Sequence, residues 1–203
     1  LGVEPPWDLA TFVADVCETL DAEGVGRADV IGFSFGGRLG LELAAAHPAR
    51  VRRLVLLDPA IQLAPDVALA LAESARLDLS FGDVDEAVVA RLASLAHTTR
   101  EMVAEDVAEA LETGADGRLH YRVARSAVVA AYGEMARVPS LPVACPTLLV
   151  RAADGILDDR QEHLLRAVMG DRLRVVGVPG NHPVMWDAYA QTGRAVADHL
   201  VGP

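Results

Sequence analysis

Apolar positions change their period several times along the first sixty residues. Leu9, Phe12, Val13, Val16 and Leu20 recur at helical spacing behind Asp8, which has N-cap chemistry, and Gly24 and Gly26 stop the run. A short apolar stretch, Ala28-Asp29-Val30-Ile31, then leads into Gly32-Phe33-Ser34-Phe35-Gly36-Gly37. The helical period returns from Arg38 to Ala46 and ends at His47-Pro48, because a proline disfavours helix in the residue before it. Val51 to Leu57 is a second buried strand, closing at Asp58-Pro59-Ala60. Helix, strand, helix, strand predicts an α/β fold: a parallel sheet with helices on its faces.

The alternation breaks between residues 62 and 139, where the pattern is almost wholly helical. Helices are expected near Asp66–Leu77, Asp83–Ala96 and Arg100–Glu112. After the turn Thr113-Gly114-Ala115-Asp116-Gly117, a last one is expected near Tyr121–Arg137. The stretch reads as a helical cap inserted into a core made of residues 1–61 and 140–203, with an ordinary helical segment packed elsewhere as the alternative. The sheet resumes at Thr147–Arg151, and a helix follows near Asp158–Met169. Leu173–Val178 is a further strand, ending at Pro179-Gly180-Asn181-His182-Pro183, and Val184–Leu200 is the closing helix.

Composition narrows the class. Hydrophobic residues make up 52% and charged ones 23%, which is a globular balance. The net charge of −11 repels phosphate backbones and anionic lipid, so neither nucleic acid nor a membrane surface is an expected partner. No apolar run approaches a transmembrane length, and no signal pattern opens the chain, which fits a cytoplasmic protein or a processed one. Cys17 and Cys145 are expected to be buried free thiols.

Ser34 sits at the apex of a strand–turn–helix with Gly32 two residues before it and Gly36 two after. Such an apex holds the serine in a strained conformation and needs strand and helix to pass closely. It also aims the Phe35 N–H, at the start of a helix, toward an anion beside the serine. On these residues, and on the His182 loop near the C-terminus, the chain resembles the cap-bearing serine hydrolases of the α/β-hydrolase fold, from Trp7 to Leu200.

The resemblance implies a nucleophile, acid and base in that chain order. His182 is the candidate base, in a loop after a strand end. His47, His97, His120, His163 and His199 fall on expected helices or their ends, away from strand C-termini. Two aspartates follow strand ends, where sites gather in open α/β sheets. Asp154 is the first candidate acid and Asp58 the alternative; Asp158 and Asp159 are better explained as helix caps. The chemistry implied is acyl transfer to water, with Phe35 as oxyanion donor and a small-molecule acyl substrate. No cofactor is implied, and no metal-ligand spacing is present. Phe33, Phe35, Met185 and Trp186 flank the catalytic loops as candidate pocket residues, although core packing explains Met185 and Trp186 equally well. The cap sequence suggests a small or medium apolar acyl group.

The resemblance also implies strands ahead of the first helix, and a loop there that supplies a second oxyanion donor. Without them the fold is partial. The Ser34 strand is then expected at a sheet edge, with weak activity and association through that edge. A hydrolase-derived binding protein is the competing class, and a C–C bond or lactone hydrolase would share every residue named.

Overall fold

A computed structural model describes residues 5–77, 79–93, 95 and 98–202. His97 and parts of the expected 83–96 helix lie outside them. The first helix, α1 (Leu9–Ala22), starts at Asp8, whose side chain accepts the Thr11 N–H at 2.8 Å. β1 (Ala28–Phe33), α2 (Phe35–Ala46) and β2 (Val51–Leu57) follow as the apolar periods predict.

After the inserted segment come β6 (Thr147–Asp154), α7 (Asp159–Met169) and β7 (Leu173–Asn181). Asp158 caps α7 in a reciprocal capping box with Gln161. The closing helix is in two pieces, α8 (Val184–Asp187) and α9 (Tyr189–Val201), broken at the buried Ala188. The break leaves the Asp187 side chain facing back to the His182 loop, where it accepts the Asn181 N–H at 2.8 Å.

Among the described residues the main sheet has four parallel strands in the order β1-β2-β6-β7. β2 is buried along nearly its whole length, and its side chains alternate between the two faces. Leu54 and Leu56 join Leu41, Leu149, Leu165 and Met169 under α1, α2 and α7. Val55 and Leu57 join Leu148, Val150, Val184 and Ala195 under α8 and α9. β1 is an edge strand, and its Ile31 is 51% exposed. Both cysteines are free; burial pushes the Cys145 thiol above its usual range, with its hydrogen bonding to Thr147 acting in the opposite sense.

The segment between β2 and β6 is less helical than its sequence suggests. It holds α3 (Pro65–Ala75), α4 (Val84–Leu92), α5 (Arg100–Ala110) and α6 (Arg125–Ala136). It also holds a small antiparallel sheet of β3 (Ser80–Phe81), β4 (Leu111–Thr113) and β5 (Leu119–Tyr121). The expected turn at 113–117 is there, but as a hairpin that pairs Thr113 with Leu119. Strands this short carry no period that a sequence can show. α3 packs on α6, next to the main core through Ala60 and Leu63. α4, α5 and the small sheet share a separate core around Phe81, Val88, Val103 and Val107.

Arg38 ties the end of the inserted segment to α2. It is 1% exposed and donates to the carbonyls of Arg137 (2.6 Å) and Val138 (3.0 Å) while pairing with Glu42 at 2.9 Å. Burial pushes its guanidinium below the usual arginine range, and Glu42 pulls the other way. Arg38→Met removes the cation beside the half-buried Glu42 carboxylate, which keeps the Ser140 N–H, and takes the side-chain donor from two carbonyls. It is expected to cost about 3 kcal/mol or more, read as a lower urea midpoint. Arg38→Lys should recover little, because an ammonium cannot reproduce the planar fork. Among the described residues no helix is long and apolar enough to cross a membrane.

Candidate active site

Ser34 stands between β1 and α2 with φ 53° and ψ −118°, in the left-handed half of backbone space that side chains rarely enter. Its carbonyl holds the turn by accepting N–H groups from Gly37 (3.0 Å), Arg38 (3.2 Å) and Ala60 (3.0 Å). Two glycines make the close approach feasible. A Cβ on Gly32 would stand 2.7 Å from the Gly37 nitrogen and closer still to the Gly36 carbonyl. One on Gly37 would stand 2.6 Å from the Pro59 Cβ. A Cβ on Gly36 would meet nothing within 4 Å, so the second glycine of the serine motif is not the one that packing demands.

His182 follows β7 and turns back over the ends of the strands. Its Nε2 lies 2.8 Å from the Ser34 hydroxyl, and its Nδ1 lies 2.7 Å from the Asp58 carboxylate. Phe33 lies against the imidazole, ring centroid to ring centroid at 4.5 Å. The loop that carries His182 is braced from behind by Asp187. That carboxylate takes the Asn181 N–H on one oxygen and the Thr98 hydroxyl of the inserted segment, at 3.0 Å, on the other.

The acid beside His182 is Asp58, not Asp154, the first candidate from sequence. Asp58 is fully buried and has φ 37°. Besides His182 it accepts the N–H groups of Ala152 (3.3 Å) and Ile156 (2.9 Å), so the loop after β6 wraps its carboxylate. Gly155 makes that wrapping feasible, since a Cβ there would lie 2.6 Å from the Asp58 carboxyl carbon. Asp154 is exposed. The register of β6 against β7 shifts between Ala152 and Asp154, and a bulge of this kind re-aims the side chains beyond it.

The Phe35 N–H belongs to the first turn of α2, where backbone donors have no partner within the helix. Of the remaining described histidines, His120 lines the same cavity as Ser34 and His182, and the others lie outside its wall. His163 is on α7, His199 on α9, and His47 caps the end of α2. His120 is on β5 rather than on a helix, bonded to Asp116 at 3.0 Å.

Ser34 and His182 open onto a cavity of about 1210 Å³. Phe35, Ala60, Leu63, Met135 and Ile156 contribute to its wall, and α3, α6 and β5 extend it. Phe33, Met185 and Trp186 are half-buried outside that wall. Sequence reasoning missed Ile156 and Arg38, neither of which carries a local signal.

A family model described as the alpha/beta hydrolase fold matches residues 5–188. The chain belongs to the α/β-hydrolase fold family. Among curated α/β hydrolases it is similar to a lipase, LipV, of Mycobacterium tuberculosis. The two are 33% identical over 149 residues, which is 72% of this chain and 57% of that one. It is also 37% identical over 104 residues to a 2-hydroxymuconate semialdehyde hydrolase of Pseudomonas putida, covering 51% of this chain and 34% of that protein. The chain thus spans little more than half the length of the first relative and about a third of the second. Of solved α/β-hydrolase structures, E-2-(acetamidomethylene)succinate hydrolase superposes with a TM-score of 0.87 at 19% identity, covering 97% of this chain and 75% of that one. At that identity the superposition speaks for the fold.

Proposed function

We propose that this chain carries a serine hydrolase site for carboxylic esters or related acyl compounds. The observation that carries the reading is the unbroken hydrogen-bonded series Ser34–His182–Asp58, placed at the wall of an apolar cavity. A serine hydroxyl is a weak nucleophile until a base takes its proton, and the imidazole needs a carboxylate to hold its tautomer.

In the first half-reaction the Ser34 oxygen attacks the substrate carbonyl while His182 Nε2 takes the hydroxyl proton. The negative charge passes to the carbonyl oxygen, which accepts a hydrogen bond from the Phe35 N–H. Asp58 stays ionised and holds the Nδ1 proton, stabilising the imidazolium. The tetrahedral carbon then expels the alcohol, which takes its proton from His182, and leaves an acyl group on Ser34. Water repeats the sequence: His182 takes its proton, hydroxide adds to the acyl carbon, and the Ser34 oxygen leaves with the proton returned to it. The products are a carboxylic acid and an alcohol.

The test is intact mass after exposure to a fluorophosphonate, which phosphonylates an activated serine. A single adduct is expected on the native chain and none on Ser34→Ala. No adduct on the folded native chain would overturn the proposal and assign the cavity to binding without turnover.

A further inference from the structure

The cavity beside Ser34 is larger than a small acyl group requires. Its volume of about 1210 Å³ exceeds the roughly 300–1,000 Å³ of pockets that enclose drug-sized ligands. Its wall has a direction. At the Ser34 end are Phe35, Ala60, Leu63 and Met135, held together by the Leu63 N–H donating to the Met135 carbonyl at 2.9 Å. α6 runs away from that end, presenting Ala131, then Val128, then Ala124 and Val123 just before its first turn. From Met135 back to Ala124 the helix covers ~16 Å at its usual rise per residue.

The wall along this path is apolar and partly wet. Val67, Leu71, Leu77, Leu79, Tyr121 and Val123 all line the cavity, yet each is between 36% and 62% exposed. Apolar side chains gathered this way at a pocket mark a surface that an apolar ligand covers. The path ends in charge: Glu109, Glu112, Arg122 and Arg125 stand at the β4–β5 end of the cavity. An apolar ligand is thus bounded by Ser34 and His182 at one end and by mixed charges at the other.

We infer that the substrate carries an extended apolar acyl chain of up to about twelve carbons, laid from Ser34 along α6 toward β5. The length follows from the ~16 Å path, since a zigzag chain of 1.5 Å carbon–carbon bonds advances roughly 1.3 Å per bond. The inference rests on the hydrolase reading for the position of the carbonyl, and on the cavity alone for the chain. It replaces the small or medium group that the sequence suggests.

The test separates the two. Binding of butyrate and decanoate, the shorter and longer product acids, is measured by calorimetry. Both carry the same charge, so their difference reports the chain. A fully buried methylene improves binding about fourfold, and about twofold where half the chain still faces water. Decanoate is therefore expected to bind at least about tenfold more tightly than butyrate. Val128→Trp fills the middle of the path and is expected to reduce that preference about fivefold or more. Leu71→Trp, at a side chain already 38% exposed on α3, should do the same and stands in if Val128→Trp fails to fold. Specificity constants for p-nitrophenyl butyrate and decanoate should follow the same order.

Equal affinity for the two acids would overturn the inference, and so would a preference that both folded variants leave unchanged. Fluorophosphonate labelling with a flat chain-length profile would sink the chain path and leave the hydrolase reading standing. A decanoate preference without labelling would do the reverse.

Discussion

Asp58→Asn is expected to lower kcat for a p-nitrophenyl ester on the order of 10⁴-fold, the loss that follows when a triad histidine is held in the wrong tautomer. The reason is local. Asp58 Oδ2 faces His182 Nδ1 at 2.7 Å, and the carboxamide that replaces it can present an N–H there instead of an acceptor. His182 would then carry its proton on Nε2, toward Ser34, and lose the lone pair that makes it a base. In either rotamer the carboxamide also sets its own N–H against a backbone donor, from Ala152 at the Oδ1 position or Ile156 at the Oδ2 position, which costs stability as well. Asp154→Asn changes an exposed side chain and is expected to leave kcat within about twofold. Steady-state rates of the two variants, with circular dichroism to show that both are folded, decide between the aspartates. Equal losses, or a larger loss at Asp154, would contradict the arrangement described.

Gly32→Ala is expected to destabilise the chain by about 3 kcal/mol or more, whereas Gly36→Ala costs under about 1 kcal/mol. At Gly32 the new methyl meets the backbone of Gly36 and Gly37, which no rotamer change can move aside. The strand and the first turn of α2 would have to separate, and Ser34 would leave the conformation that places its hydroxyl under His182. At Gly36 the methyl enters open space in the first turn of a helix, where alanine is the better helix former. For a domain of this size, 3 kcal/mol corresponds to roughly a 6–12 °C fall in Tm. Thermal unfolding of the two variants side by side reads the difference directly. A stable Gly32→Ala would mean that the elbow is looser than these distances imply.

Much of this was legible in the residues themselves. β2, with its near-continuous apolar run, appears in the structure at the predicted bounds, because a strand buried on both faces leaves no ambiguity of period. α1 and α7 begin at the aspartates whose side chains cap them. Ser34 and His182 declared themselves through local chemistry: one at a glycine-flanked apex, the other in a loop after a strand. The small sheet of β3, β4 and β5 was not legible, since strands of two or three residues have no period. Nor was the break between α8 and α9, which depends on Asp187 reaching back to Asn181 and across to Thr98.

What the sequence by itself determined, then, is the class of fold; from their immediate neighbours in the chain it also singled out Ser34 and His182, which the fold brings within 2.8 Å of each other. The tertiary structure alone decided which aspartate meets His182. Asp58 follows β2 and Asp154 is the last residue of β6, so both stand at the carboxyl ends of parallel strands and that placement does not rank them. The ranking comes from the shift of β6 against β7 and from the missing side chain at Gly155, which lets the loop close around Asp58. It also decided the shape of the cavity, since α3 is far in sequence from β5 and α6 and forms one wall with them only when the chain is packed. Local chemistry is written in adjacent residues; the choice between equivalent residues, and the space left for a ligand, belong to contacts between residues that sequence separates.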